Sequence, residues 1–429
     1  MNVTPLSASV PDEVLLSAVR KAAWRLLPIL TLAFVINFID RNSVGFAALT
    51  MNHDLGITPT EFGFAAGILF AGYCLFEVPS NMLLYRIGAR IWLARIMVTW
   101  GIAAAGTAFV TGPDSFYVMR FLLGAFEAGF APGVTFLLAA WFPAQYRTRI
   151  LMWFFLAVPV SAVVGGPISG LLLQLDQVGL KGWQWMFIIE GLPACVVGLA
   201  LLRLVTDHPS KADWLSAGER DALLAALAQE ERPRAKSTLL AALMDPRLVL
   251  LTAVQFGFVL GTYGIGIWLP QILKEFGLST LAIGFLSAIP YIIASVGMIV
   301  WGKVADRIGN SVTNLVLACL ATVIGLVFSV VYKDLTPALV GLTVALTGAN
   351  AARALFWTIP ARFLTGAAAA GGIALINSIG AFGGFVGPFM MGWLRTLTGS
   401  FTTGILAMSG IVMLSTLLAM LLWPMMKRE

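Results

Sequence analysis

The chain has 429 residues, of which 59% are hydrophobic and only 11% are charged, and its mean hydropathy is +0.90. Soluble domains contain about 25% charged residues, so this composition excludes a soluble globular protein. Apolar runs of roughly 20–27 residues match the length of a helix that crosses the hydrocarbon core of a bilayer. They predict an all-α polytopic membrane protein. The net charge of +6 does not indicate nucleic-acid binding, because the basic residues lie at helix ends.

The predicted elements begin with a polar segment and continue as two sets of six membrane helices. Residues 1–21 contain no apolar core of a cleaved signal peptide, so we predict a cytoplasmic N-terminal segment. A first bundle is predicted over residues 22–205 and a second over residues 247–425, followed by a cytoplasmic tail at 426–429. The expected helices are 22–50, 61–86, 91–111, 115–141, 149–175, 184–205, 247–274, 280–302, 311–332, 337–361, 370–394 and 400–425.

A long polar segment at residues 206–246 separates the two bundles and is predicted to be a cytoplasmic linker. It contains a short amphipathic helix at about 216–231, since Ser216 followed by Glu219 is the signature of a capping box. Short matches in the same order in both halves, such as GGPISGLLL and VGPFMMGWL, indicate a duplicated six-helix unit.

The distribution of basic residues predicts the orientation of the helices. With a cytoplasmic N-terminus, 20 of the 27 Lys and Arg residues lie on the inner side, 4 on the outer side and 3 within the membrane. Loops facing the cytoplasm carry the excess of Lys and Arg. We therefore expect a multi-pass protein of the bacterial inner membrane with both termini in the cytoplasm.

Seven charged residues lie inside the membrane-spanning part of the predicted helices, away from the helix ends. A charge at a helix centre costs about 2.5–3.5 kcal/mol on insertion scales, so such residues usually face a cavity or a partner and mark a transport pathway. Arg120 and Glu127 are two turns apart on one helix face, whereas Asp40 and Arg41 point about 100° apart. The roles of Glu77 and Glu190 are left open between anchoring and transport. The seven residues are Asp40, Arg41, Glu77, Arg120, Glu127, Glu190 and Arg353.

The sequence shows no pattern of an enzyme or of a metal site. Cys74, Cys195 and Cys319 have unrelated spacings within apolar runs, which fits packing rather than disulfides or metal ligands. No phosphate-binding loop, nucleophile elbow or dinucleotide fingerprint occurs in a suitable loop. We expect no enzymatic activity, no cofactor and no metal.

The loop WGKVADRIGN at residues 301–310 resembles the loop signature of the major facilitator superfamily. The match rests on Gly302, Asp306, Arg307 and Gly309. The corresponding loop of the first half departs from the signature at Asn81 and Tyr85. The resemblance implies a gate at the cytoplasmic side with the participating residues Gly302, Asp306, Arg307, Arg86 and Arg90.

Further segments, including FIDRNSVGFAAL and RFLLGAFEAGFAPG, resemble the anion:cation symporter family of that superfamily. The resemblance implies proton-coupled uptake of an organic anion by alternating access. It assigns proton coupling to Asp40, Glu127 and Arg120, with Arg120 interacting with Glu127. The substrate-binding residues implied by the resemblance are Arg41, Tyr73, Gln255, Trp357 and Asn377. The expected partners are a small organic anion, protons and the lipid bilayer, and the expected functional unit is a monomer.

The substrate class stays open in the sequence. Val158 stands where a glutamine contacts sugar hydroxyls in the sugar-acid carriers. Arg353 adds a cation to the tenth helix and is a further candidate substrate-binding residue. An aromatic acid, a dicarboxylate or a sugar acid is compatible with this pattern. Two alternatives to uptake are a proton-coupled exporter or antiporter and a membrane sensor that does not transport.

Overall fold

The computed structural model describes residues 12–229, 245–360 and 366–426. Twelve of the helices in this part are long and apolar enough to cross a membrane, which confirms the predicted all-α polytopic fold. We number them as spans 1–12. The first six are Asp12–Leu55, Pro59–Ile87, Ala89–Gly106, Pro113–Glu127 with Phe130–Trp141, Ala144–Phe155 with Ala157–Leu172, and Gly182–Leu204. The second six are Pro246–Lys274, Thr280–Ile308, Ser311–Val331, Leu335–Phe356, Gly366–Thr398 and Phe401–Met426.

The helix pairs within spans 1–6 recur within spans 7–12. Spans 3 and 6, 2 and 4, 1 and 6, and 1 and 5 pack together, and so do spans 9 and 12, 8 and 10, 7 and 12, and 7 and 11. We call the two sets the first and the second unit. The units meet where span 1 packs on span 7, span 2 on span 11, and span 5 on span 8. This arrangement places the centres of spans 1 and 7 beside each other.

The two units are packed backbone to backbone at the end that carries the loops after spans 1, 5, 7 and 11. A Cβ atom added at Gly166 would lie 2.6 Å from the carbonyl oxygen of Gly284, and one added at Gly284 would lie 2.6 Å from that of Gly166. Thr60 Oγ1 also donates to Thr396 Oγ1 across the units at 2.8 Å. We call this end the closed end. Glycine is needed there because any side chain would separate the helices.

The opposite end of span 2 borders open space. A groove there is lined by Val78, Asn81, Met82, Tyr85 and Arg86, and the Tyr85 side chain is 77% exposed. We call this the open end. Tight helix packing at the closed end thus separates the centre of the protein from that side, and the groove lies at the other end.

The described part of the linker is docked on the first unit. The capping box is confirmed, since Ser216 N and Oγ both bond Glu219 Oε2 at 3.0 Å, and the helix runs over Ala217–Ala228. Glu219 also accepts from Ser17 Oγ at 2.7 Å and from Lys21 Nζ at 2.9 Å. Span 1 therefore begins at Asp12 rather than at residue 22, because its first turns pack against this helix. Residues 230–244 of the linker and the tail beyond residue 426 lie outside the described residues.

We expect the Glu219→Gln variant to release the linker helix from span 1. Hydrogen bonds from Lys21 and Ser17 lower the pKa of Glu219 from its ordinary value of 4.5 to about 2. Because docking lowers the pKa of Glu219, the ionised carboxylate stabilises the docked helix above about pH 4.5. This stabilisation is lost as the pH falls towards 2. Tryptic cleavage of the linker in membranes at pH 8 should therefore be slow in the wild type and several-fold faster in the variant. Asp221→Asn, on an exposed position of the same helix, should cleave at the wild-type rate.

Candidate functional site

Arg41 joins three spans at the centre of the protein. Its guanidinium forms an ion pair with Glu127 of span 4, and its NH1 donates to the hydroxyl of Tyr263 in span 7 at 3.2 Å. Asn37, one turn before Arg41, donates from Nδ2 to Glu127 Oε1 at 2.7 Å. A guanidinium carries five donors, so this contact set leaves it able to bind a further acceptor.

Aromatic rings surround the guanidinium of Arg41. Its Cζ atom lies 5.6 Å from the ring centroid of Phe38, 5.8 Å from that of Phe70 and 5.5 Å from that of Tyr73. Cation–π contacts of this length stabilise a desolvated cation. The rings therefore hold a permanent positive charge where bulk solvent is largely excluded, and they place Tyr73, a predicted substrate-binding residue, next to Arg41.

Asp40 occupies a different environment from its neighbour Arg41. Its Oδ2 accepts from Trp100 Nε1 at 2.8 Å, and the carboxyl group is buried. The 100° separation along the helix directs Arg41 towards spans 4 and 7 and Asp40 towards span 3. The two charges do not form an ion pair with each other in the structure, as the helical geometry predicts.

Arg120 is buried without a close carboxylate partner. Its side chain is 1% exposed, its Nε has no hydrogen-bond partner, and no ion pair within 4 Å involves it among the described residues. The family resemblance implies an interaction between Arg120 and Glu127, but Glu127 is paired with Arg41 instead. The seven residues between them correspond to about 10 Å of helix rise, which separates the two groups along the span.

Span 4 is broken immediately after Glu127. Ala128 leaves the helical conformation, and Gly129 has φ +88°, a value that L side chains rarely adopt. Ser80 Oγ of span 2 donates to the freed carbonyl of Ala128 at 2.6 Å and accepts from Trp92 Nε1 of span 3 at 3.0 Å. Broken helices at membrane depth need such partners for their backbone groups. The break fixes Glu127 as the last residue of its helix.

The sequence analysis did not predict this break or its partners. The available signal is the segment containing Gly129 and Pro132, two residues that interrupt helices. Ser80 and Trp92 carry no charge and belong to other spans. Their role follows from tertiary contacts and not from a local pattern.

We expect the Ser80→Ala variant to destabilise the helix break. The buried Ala128 carbonyl and the Trp92 indole would both lose a hydrogen-bond partner, and an unsatisfied buried group costs about 1–3 kcal/mol. The melting temperature of the purified protein should fall clearly, and transport should fall with it because Glu127 loses its fixed position. Ser329→Ala is the matched control, since that buried hydroxyl bonds only a carbonyl of its own helix turn. Equal melting temperatures for the two variants would contradict a special role of Ser80.

The second unit contributes four predicted residues in three places. Arg353 of span 10 lies with its Cζ 5.8 Å from the ring centroid of Tyr263, so Tyr263 contacts both Arg353 and Arg41. Gln255 Nε2 and Asn377 Oδ1 lie 3.5 Å apart in spans 7 and 11, and Gln255 Oε1 is buried without a partner. Trp357 follows the end of span 10 and packs edge-on against Phe356, with ring centroids 5.3 Å apart. Tyr263, which carries no charge and does not stand out in the sequence, connects the two units at this site.

Comparison with known proteins assigns the family. The sequence profile of the Major Facilitator Superfamily matches residues 30–388. The chain belongs to the Major Facilitator Superfamily. It is 46% identical over 416 residues to a putative tartrate transporter of Agrobacterium vitis. The aligned region covers 96% of this chain and 93% of that protein. It is 39% identical over 421 residues to a quinolone resistance transporter of Acinetobacter baumannii, with 96% of both chains covered.

Solved structures show the same fold at low sequence identity. The crystal structure of a bacterial homologue of the human lysosomal transporter Spinster, in an inward-facing and unoccupied conformation, superposes with a TM-score of 0.76. The identity is 16%, and the match covers 94% of this chain and 96% of that one. Together with the twelve spans, the family assignment makes this chain a multi-pass inner-membrane transporter of a small molecule and not an enzyme.

The predicted gating residues of this superfamily member lie towards the open end. Arg86, Arg90 and Arg307 are exposed, and Gly302 lies in the second-last turn of span 8. The side chain of Asp306 lies outside the described residues. The backbone N–H of Arg90 donates to Asp207 Oδ1 at 2.7 Å, so this end of span 3 is bonded to the linker segment. The gating roles of Gly302, Asp306, Arg307, Arg86 and Arg90 stay predictions.

Glu190, whose role was left open, is anchored at least on one side. Its Oε1 accepts from Ser169 Oγ of span 5 at 2.7 Å, and its Oε2 is buried without a hydrogen-bond partner. The bond joins spans 5 and 6. Glu77 is half-buried on span 2, and no ion pair within 4 Å is formed by it in the described part of the chain.

Proposed function

We propose that this transporter imports a small organic carboxylate together with protons by alternating access. The observation that carries the proposal is the position of Arg41. It is bonded to a carboxylate of its own unit, Glu127, and to a hydroxyl of the other unit, Tyr263. The Arg41 guanidinium already binds one carboxylate, so it also has the geometry to bind the carboxylate of a substrate.

Proton and substrate transport are coupled because Glu127 and the substrate carboxylate compete for Arg41. While Glu127 is ionised, it occupies the guanidinium. Once Glu127 takes up a proton, its attraction to Arg41 weakens, and a substrate carboxylate replaces it. Release of the substrate lets Arg41 recapture Glu127, which expels the proton. In this scheme Arg41 exchanges one anionic partner, Glu127, for another, the substrate carboxylate, so its buried charge is paired both before and after substrate binds.

We propose Asp40 as a second proton carrier. The positive charge of Arg120 would offset the negative charge of Asp40 when Asp40 is ionised. Asp40 is held by Trp100 and Arg120 is buried without a bonded anion, so neither group is neutralised by a close ion pair. Proton uptake matters energetically, because an inside-negative potential opposes anion entry by about 2.3 kcal/mol per charge per 100 mV. A monoanion that enters with two protons carries net positive charge, and the same potential then drives uptake.

The excess of basic residues supports an orientation with both termini in the cytoplasm. In that orientation the closed end faces outwards and the open end faces the cytoplasm. The structure then corresponds to an inward-facing state, in which the tight glycine contacts between spans 5 and 8 seal the outer side. Alternating access requires these contacts to separate when the outer side opens.

The test is uptake of labelled tartrate by proteoliposomes that contain the purified protein, with other organic acids as competitors. Tartrate is a suitable first substrate, because a relative that shares 46% identity is a putative tartrate transporter. We expect accumulation above equilibrium when the outside is acidic and its collapse when a protonophore is added. Equal uptake with and without the proton gradient would contradict coupling, and failure of every acid to compete would contradict the substrate class.

Proton-coupled export is the second candidate function, favoured by the 39% identity to a quinolone resistance transporter. The two functions differ in the direction of transport. In inside-out vesicles with an acidified lumen, a proton-coupled exporter would release protons from the lumen when a quinolone is added, whereas an importer specific for other organic acids would not respond. Counterflow of a labelled acid would support the importer and would also exclude a sensor that does not transport.

A further inference from the structure

Arg353 is a second cation at the site of Arg41, and nothing in its described surroundings neutralises it. It lies on span 10, half-buried, with its Cζ 5.8 Å from the centroid of the Tyr263 ring. No ion pair within 4 Å involves Arg353 among the described residues. Arg41 donates to the hydroxyl of the same tyrosine. The two guanidinium groups, one from each unit, are therefore separated by one aromatic side chain.

The two fully buried carboxylates of the site, Glu127 and Asp40, are already engaged by other groups. Glu127 accepts from Arg41 and Asn37, and Asp40 accepts from Trp100. When a substrate carboxylate displaces Glu127 from Arg41, Arg353 still has no bonded anion. Two cations that contact one ring repel each other in a poorly solvated site, so a ligand with only one carboxylate leaves that repulsion in place.

We propose that the site binds a dicarboxylate, with one carboxylate on Arg41 and the other on Arg353. This inference rests on the proposed function and specifies its substrate class. A planar guanidinium with several donors suits each end of such a ligand, and the Tyr263 side chain contacts both guanidinium groups. Because Arg41 belongs to the first unit and Arg353 to the second, the charges of the ligand are held by both units. A monocarboxylate of the same size would leave one of the two arginines without an anion.

The proposal makes Arg353 the residue that distinguishes dicarboxylates from monocarboxylates. The suitable probes are succinate and tartrate, each compared with its monoamide, which has nearly the same shape but one charge less. An additional hydrogen-bonded charge pair is worth about 1.5–3 kcal/mol, or roughly 10- to 100-fold in affinity. We expect the purified wild-type protein to bind at least one diacid about tenfold or more tightly than its monoamide.

The test measures the affinities of the four probes for the wild type and for Arg353→Gln and Arg353→Lys. In Arg353→Gln, affinity for the diacid should fall to that of the monoamide, while affinity for the monoamide should change by less than about twofold. Arg353→Lys should restore part of the difference, because it restores the charge. Lys303→Gln, which removes one exposed positive charge from the same unit, should leave all four affinities unchanged.

Two outcomes would overturn the proposal in different ways. If Arg353→Gln still prefers the diacid as strongly as the wild type does, Arg353 does not hold the second carboxylate, and proton-coupled carboxylate uptake stands without it. If the wild type binds neither diacid more tightly than its monoamide but takes up the monoamide with protons, the substrate is a monocarboxylate. Absence of binding and of uptake for all four probes would overturn this inference, and the proposed function would be contradicted as well if every other organic acid in the competition test also failed.

Discussion

In proteoliposomes, the Glu127→Gln variant is expected to exchange labelled substrate across the membrane but not to accumulate it against a gradient. Glutamine keeps an acceptor for Asn37 and Arg41 but cannot exchange a proton. A pH difference of one unit stores about 1.4 kcal/mol per proton, enough for tenfold accumulation. The wild type should reach at least that level and the variant should stop at equilibrium. Counterflow should persist, because substrate still finds Arg41 free of a competing carboxylate.

The control for this experiment is Glu61→Gln, the same chemical change at an exposed helix cap near the closed end. It should accumulate substrate as the wild type does. Melting temperatures and counterflow rates show that the Glu127 variant is folded and binds its substrate. Gradient-driven accumulation by Glu127→Gln at the wild-type level would remove Glu127 from the proton path.

In the Gly284→Val variant, we expect the contact between spans 5 and 8 at the closed end to open. The variant should then populate the outward-open arrangement. The added Cβ would lie 2.6 Å from the Gly166 carbonyl oxygen, and a backbone atom has no room to yield. Overpacking costs about 1–3 kcal/mol, a shift of about 5- to 150-fold between two states. Transport should fall by a similar factor, since the carrier no longer closes its outer side.

The separation can be measured with spin labels on His53→Cys and Lys274→Cys, two exposed positions in different units near this end. Gly284→Val should lengthen the distance between the labels, whereas Gly410→Val should not, because a Cβ there meets open space. An unchanged distance in Gly284→Val would show that the glycine contact does not control closure.

The sequence predicted the spans well because their signal is local. A run of apolar residues must become a helix when it enters the bilayer, whatever surrounds it. The differences lie where tertiary contacts act. Span 1 begins about ten residues earlier than predicted, since Glu219 of the linker helix binds Ser17 and Lys21. Span 4 breaks after Glu127, where Ser80 replaces the lost helical bond.

In the candidate site, too, the sequence identified the residues with a local signal, and the tertiary contacts decided their partners. The charged residues of spans 1, 4 and 10 stood out because a charge inside a membrane is costly, and that cost is visible in composition alone. Their partners were not visible. The family resemblance implied an interaction between Arg120 and Glu127, but in the fold Glu127 forms its ion pair with Arg41. Tyr263 and Trp100 are aromatic residues among many others until the packing of spans 7 and 3 brings them to Arg41 and Asp40.

By itself, the sequence determined that this protein is a twelve-span carrier and which of its side chains carry charge within the membrane, because hydrophobicity and charge act residue by residue. Only the tertiary structure decided which charges meet, that the units are sealed at the glycine contact, and that Tyr263 is shared by two arginines. Pairing depends on the relative rotation and depth of helices far apart in the chain, and no local pattern encodes these quantities.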